Sequence, residues 1–213
     1  HNTGRNFFFT LELDSSVYYL SWAVKLAEQL QNKGKIFGSA SMLGTVYLIS
    51  DNFKDAEQAL SYALAVQPPY ADKVQVRGVW ADYALALIFR GKYDAAAKAT
   101  KEYDNLNALL GDVSGRMTEK KLKGALSYGQ GNYESALHYL KDAYKLKIND
   151  DIFSHDMMSI ASQLGKAELK TGLTDSAIAH FRLVNKLASH YNYIAASLEG
   201  NMLLAEAFQQ NKQ

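Results

Sequence analysis

The chain has 213 residues, of which 23 are basic and 22 acidic, and its formal charge of +1 supplies no field that would draw a polyanion such as nucleic acid. The absence of cysteine excludes disulfides, thiolate zinc sites and a cysteine nucleophile, and leaves the redox compartment open. No apolar run reaches the roughly 18 residues of a membrane span, while 48% hydrophobic residues are ample for a core.

The opening HNTGRN lacks the basic region and apolar stretch of a secretory signal peptide, although a processed chain would have lost one. Cytoplasmic and periplasmic locations both stay open. Phe7 to Leu13, FFFTLEL, is too short for a full helix and reads as the tail of one. Asp14 to Gln31 reads as a helix with Asp14 as its N-cap. Its apolar residues Val17, Tyr18, Leu20, Trp22, Val24, Leu26 and Leu30 spread around much of the cylinder, so a covering neighbour is expected there. Ile36 to Ser50 and Phe53 to Gln67 form the first complete helix pair, ended by Pro68-Pro69. Lys73 to Arg90 and Tyr93 to Leu110 form the second. LGDVSGR, Leu110 to Arg116, reads as a loop before a third pair, Met117 to Tyr128 and Tyr133 to Lys147. Ile148 to Asp151 is the next expected break, followed by a fourth pair at Ser154 to Lys170 and Thr174 to His190. A lone helix, Tyr193 to Gln210, carries Glu199, Glu206, Gln209 and Gln210 as the polar side of a terminal cap.

Laid over itself, the chain repeats. A small position in each first helix is Gly44, Ala84, Gly124, Gly165 and Ala205, at spacings of 40, 40, 41 and 40. The second helices share one column of Ser16, Ala56, Ala96, Ala136 and Ala177, and another of Ala23, Ala63, Tyr103, Ala143 and Val184. The turns carry Asp51, Gly91, Gly131 and Gly172, followed two residues later by Phe53, Tyr93, Tyr133 and Thr174. A mid-helix glycine costs about 1 kcal/mol relative to alanine, so Gly44, Gly124 and Gly165 imply a backbone approach too close for a larger residue. Asp94, Glu134 and Asp175 open second helices, where the helix dipole favours negative charge. Two departures stand out: the bulky column of Tyr47, Leu87 and Phe208 holds Ser127 and Glu168, and the leucine before the glycine becomes Lys123.

The order Leu43-Gly44, Tyr47, Phe53, Ala56, Ala63, Pro68, with the phrases RGKYDAAA, QGNYESAL and TGLTDSAI, resembles the tetratricopeptide repeat, a helix-turn-helix unit of about 34 residues. HEAT and armadillo arrays, at about 40 to 47 residues, match the period better; the G-x-Y-[DE]-x-A phrase favours the tetratricopeptide reading. A nonspecific bundle would not repeat two columns, a turn and the aromatic after it. The resemblance implies an all-α, right-handed α-α superhelix, a solenoid of about four hairpins plus flanking helices, as a single repeat domain over residues 1–213. It also implies a noncatalytic scaffold that holds a protein or peptide in a concave groove lined by first helices. Carried over unit by unit, the groove positions are Ser41, Thr45 and Leu48; Ala81, Leu85 and Ile88; Lys121, Ala125 and Tyr128; Ser162, Lys166 and Leu169; and Met202 with Glu206. Apolar anchors of a ligand would meet the second unit, and its acidic groups Lys121 and Lys166. One subgroup clamps a chaperone's C-terminal carboxylate with Lys and Asn where this chain has Ser41 and Thr45, so that clamp is not implied. The array is similar to tetratricopeptide receptor and regulatory regions of bacterial signalling proteins, and the apolar face expected at residues 17–30 implies one segment of a longer chain. The alternative is a small-ligand sensor with its pocket between first helices, and the apolar face at residues 17–30 points to self-association.

Nothing in the sequence calls for a cofactor or a metal. His155 lies four residues after Asp151 and beside Asp156, with no third ligand near, which is a helix start before it is a metal site. His138, His180 and His190 have no serine or acid placed for a triad. GALSYGQG, Gly124 to Gly131, spans a helix and its turn and lacks the Lys-Ser/Thr of a phosphate loop. Lys120, Lys121 and Lys123 read as a solvated face, and the 14 tyrosines mostly fill packing positions rather than a stacking surface for nucleic acid.

Overall fold

A computed structural model describes residues 13–148, 155–190 and 194–210; the expected helix tail at 7–12 and the break at 149–151 lie outside them. The described residues form ten α-helices: α1 Leu13–Gln29, α2 Lys33–Ile49, α3 Phe53–Val66, α4 Lys73–Phe89, α5 Tyr93–Leu110, α6 Val113–Gly129, α7 Tyr133–Ile148, α8 His155–Lys170, α9 Thr174–His190 and α10 Ile194–Gln210. They fall into two compact units, one ending at Leu110 and one starting at Gly111. Within the first, each helix packs on the next and α2 also lies against α4; within the second the same holds, with α6 against α8 and α8 against α10.

Short polar signals set the boundaries. Asn32, Asn52, Asp72 and Asp112 cap α2, α3, α4 and α6, their side chains accepting hydrogen bonds from the amides of Lys35, Asp55, Gln75 and Gly115. Each hairpin then reverses on one residue with left-handed backbone: Asp51, Gly91, Gly131 and Gly172, as the turn column predicts. Gln31 and Gly111 do the same after α1 and α5. The expected loop from Leu110 to Arg116 therefore shrinks to Gly111-Asp112. Asp112 accepts from the Gly115 amide at 2.6 Å, and this cap starts α6 four residues before Met117 in spite of Ser114 and Gly115. Asn32 likewise starts α2 at Lys33 rather than Ile36. Asp14 lies inside the first turn of α1, where its charge faces the dipole, and not at the cap.

The repeating columns are the core. Ser16, Ala56, Ala96, Ala136 and Ala177 are all completely buried, and Ala23, Ala63, Tyr103, Ala143 and Val184 nearly so. The glycines work differently from the expectation of two close backbones. A Cβ on Gly44 would collide with the Leu60 side chain, one on Gly124 would stand 2.6 Å from Leu140 Cγ, and one on Gly165 would stand 2.5 Å from Phe181 Cε1. Each glycine is a seat, and the side chain sixteen residues later, on the second helix of the same hairpin, is the knob. Leu60, Leu140 and Phe181 are each completely buried, worth about 1.5 to 3 kcal/mol apiece. In α4 the seat is Ala84, and the residue in register is the smaller Thr100.

The core of the first unit joins Phe37 and Ala40 of α2, Ala56, Leu60 and Ala63 of α3, and Val76, Val79 and Ala86 of α4. In the second unit Leu140 packs with Leu164 and Ala167, and Phe181 with Leu169 and Ala207. On α10 the polar residues Glu199, Glu206, Gln209 and Gln210 are exposed, and so are the apolar Leu198, Met202 and Phe208. Along α1, Tyr18, Trp22, Leu26 and Leu30 are exposed as well.

Candidate functional site

The rows expected to line a groove lie where first helices meet first helices. In the first unit Ser41 is buried, its hydroxyl donating to the Phe37 carbonyl at 2.6 Å. Thr45, half-buried, donates to Asp82 Oδ2 on α4 at 2.6 Å and so ties α2 to its neighbour. Ala81 and Ile88 are buried, whereas Leu48 and Leu85 are half-exposed.

In the second unit the first helices are joined by charge. Lys121 is buried on α6 and its Nζ donates to Asp156 of α8 at 3.0 Å. Lys166 of α8 reaches Glu199 of α10 at 2.6 Å, and the Ser162 hydroxyl donates to the same carboxylate at 3.3 Å. Ala125, Ser162 and Leu169 are buried, Tyr128 is half-buried, and Met202 and Glu206 are exposed. Burial raises the Tyr128 phenol above its ordinary value, with smaller contributions from Tyr133 and Glu206. The two lysines expected to meet acidic groups of a ligand are thus already matched by Asp156 and Glu199. What the rows offer to solvent is Thr45, Leu48 and Leu85 in one unit and Tyr128, Lys166, Met202 and Glu206 in the other. The face is mixed and weakly apolar, not cationic.

The other candidates resolve into packing. His138 sits on the surface 3.8 Å from Asp142 and His190 is exposed at the end of α9. Asp151 lies outside the described residues, as does the side chain of His155, and among the described residues no three of His, Asp and Glu gather to hold a metal. The lysine run is not a solvated face: besides Lys121, Lys123 pairs with Glu119 at 2.7 Å and Lys120 stands 5.7 Å from the Tyr139 ring centre. GALSYGQG is the end of α6 and its turn. No helix of the described residues is long and apolar enough to cross a membrane.

Two buried polar pairs escape a sequence reading. Arg77 on α4 donates to Asn107 of α5 at 3.0 Å with both buried. Glu168, in the bulky column of α8, meets His180 Nδ1 of α9 at 2.7 Å, with its side chain 3% exposed. Tyr144 stacks edge-on to that imidazole with centroids 5.1 Å apart, and burial together with Glu168 raises its phenol. The signal for this pair was available in the misfit of Glu168 with its column, but its mate lies across the turn.

Seat, knob, left-handed turn and abutting first helices define a repeat of antiparallel helical hairpins. Solved structures agree in fold. Tetratricopeptide-like repeats of a putative kinesin light chain from Podosopora anserina superpose with a TM-score of 0.62 at 14% identity, over 90% of this chain and 94% of that one. The apo form of RapI gives 0.68 at 17% identity, over 97% and 80%. A signal transduction ATPase with numerous domains and a tetratricopeptide repeat sensor, from Pyrococcus horikoshii, gives 0.65 at 16%, over 89% of this chain and 28% of that protein. No described sequence family matches the chain, and no curated protein matches it.

Proposed function

We propose that the chain is a noncatalytic scaffold that binds a protein or peptide along its first helices, as the receptor or regulatory part of a larger bacterial signalling protein. The observation that supports this most is the direct approach of first helix to first helix, α2 to α4, α6 to α8 and α8 to α10. It sets half-exposed side chains of consecutive repeats side by side in each unit, so a short ligand meets several at once. Because Lys121 and Lys166 are already paired, the ligand gains more from apolar anchors against Leu48 and Leu85 than from an acidic tail.

The test is a displayed peptide library panned against the chain, with the selected peptides measured by fluorescence anisotropy. Leu48→Glu and Leu85→Glu are expected to weaken them by about tenfold or more, and Tyr18→Ala to leave them unchanged. Selected peptides indifferent to both glutamates would exclude this face.

A second contact is supported by α1. Its exposed Tyr18 and Trp22 stand in register with Gln58 and Tyr62 of α3, Lys98 and Glu102 of α5, and His138 and Asp142 of α7. A surface that is mostly polar in the later helices is apolar here, which suits pairing with α1 of a second copy. Sedimentation of the chain should show a dimer that Trp22→Glu dissociates; a monomer at all concentrations would remove the idea.

A further inference from the structure

Two connections of the first unit, the one from α1 to α2 and the one from α3 to α4, meet around an open cavity of about 410 Å³. Its apolar side is Leu30, Pro68, Pro69 and Tyr70, of which Leu30 and Tyr70 are 70% and 78% exposed. This side is held in place by the chain itself. The Ala71 amide donates to the Pro68 carbonyl at 3.0 Å, which closes a turn with Pro69 at the position where a fixed φ suits it. Tyr70 lies against Gly34 of α2, where a Cβ would stand 3.3 Å from the phenol oxygen. Gln31, Asn32 and Lys33 form the polar side. Asn32 engages its side-chain oxygen with the Lys35 amide at 3.0 Å, so its Nδ2 is turned to donate elsewhere. Lys33 is exposed, and no acidic side chain among the described residues lines the cavity. Gln31 holds φ 50° in the place where Gly111 precedes the cap of α6, so an amide side chain is kept at this wall where glycine would be unstrained.

We propose that this cavity captures the carboxyl-terminal residue of a polypeptide partner. Its large apolar side chain packs between Leu30, Pro69 and Tyr70, its free carboxylate is received by Lys33 and the side-chain amides of Gln31 and Asn32, and the residues before it run out along the exposed Tyr70 ring. The lining selects the chemistry: donor side chains and one positive charge with no acid beside them favour an anion and disfavour an ammonium or guanidinium group. The apolar side requires that the anion be carried on a hydrophobic body. The opening selects the source. A free small acid is held tightly by a site that encloses most of its surface, whereas a chain end fills an open cavity and leaves its preceding residues on the solvent side. The site is distinct from the face proposed above, since Lys33 starts α2 and Leu48 stands near its end.

The probe is N-acetyl-Ala-Ala-Phe with a free carboxyl group, titrated into the isotope-labelled 213-residue chain and followed by amide NMR. Saturable shifts are expected at the backbone amides of Gln31, Asn32, Lys33 and Tyr70. The C-terminal amide of the same tripeptide should bind about tenfold or more weakly, and so should the free acid to Lys33→Glu. Gln31→Gly should also bind more weakly and yet melt no lower than the parent, because it relieves a left-handed side chain, and this separates loss of a ligand contact from loss of the fold. N-acetylphenylalanine, which lacks the residues laid along Tyr70, should bind more weakly than the tripeptide, and Leu85→Glu should leave the tripeptide unaffected. Absence of saturable shifts, an amide that binds as well as the acid, or binding untouched by Lys33→Glu overturns the proposal. Equal binding of N-acetylphenylalanine also overturns it, by assigning the cavity to a free small acid, and a loss of binding in Leu85→Glu does so by moving the ligand onto the face of the first helices.

Discussion

At the scale of single residues, the structure turns on a missing Cβ and the side chain that occupies its place. Three seats are glycine against Leu60, Leu140 and Phe181, and the fourth is Ala84 with the smaller Thr100 in register. Gly165→Ala is expected to cost about 1 to 3 kcal/mol by overpacking, and Phe181→Leu in the same chain to return part of it, since the pair is coupled. Urea denaturation of the two single variants and the double variant measures this, and additive costs would deny the contact. The Glu168–His180 pair makes a second cycle. His180→Phe alone strands a buried carboxylate and should destabilise by about 3 kcal/mol or somewhat less, because the imidazole retains some exposure. Glu168→Leu combined with His180→Phe should recover most of the loss, because an apolar pair suits the bulky column. The glycine column was legible in the sequence from its period alone. The identity of the knobs was not, because a side chain sixteen residues away is named by the geometry of the hairpin and not by adjacency.

At the scale of elements, the helices followed from apolar spacing and the reversals from the turn column. The boundaries that moved did so for one reason. Gly34 lies before the expected start of α2, and Ser114 and Gly115 lie in the expected loop, yet Asn32 and Asp112 satisfy the first amides of α2 and α6 and carry the helices through them. Two reversals use a residue that pays for left-handed backbone, Gln31 at φ 50° and Asp51 at φ 56°. Gln31→Gly should therefore raise stability by about 1 kcal/mol, whereas Gly131→Ala, with φ 80°, should lower it by about the same. Thermal melts of the two variants check the opposite signs.

At the scale of the whole molecule, charge is balanced by local pairs, and the pH limits of stability follow. Burial pushes the Glu57 carboxyl up, but hydrogen bonds and attraction from Lys92 and Arg90 outweigh it and hold the group below its ordinary value of 4.5. Its contribution is complete above that value and is lost as pH falls through the lowered one. The phenols of Tyr83, Tyr128 and Tyr144 are raised above 10.0, chiefly by burial, and that of Tyr62 by its hydrogen bond to Glu28. Their contribution is complete below 10.0 and is lost as pH rises through the raised values. Melting temperature should hence fall at both ends, and Arg90→Ala should blunt the acid limb only. The repeat architecture was readable at this scale, while the accessible part of the groove rows was not. Lys121 and Ser162 are tied to Asp156 and Glu199 a hairpin away, and no pattern within one helix reports on what another helix lays over it.

Seat and knob sit in one block of about forty residues, so each block brings both halves of its own fit. Copying or deleting a whole block in register keeps every seat with its knob, and the joints left to be remade are those between blocks, such as Thr45–Asp82 and Lys121–Asp156. A crossover that falls between Gly124 and Leu140 has no such licence, because it must find a new filler for an old hole. The fold thereby admits growth by duplication at one set of junctions and resists it at all others.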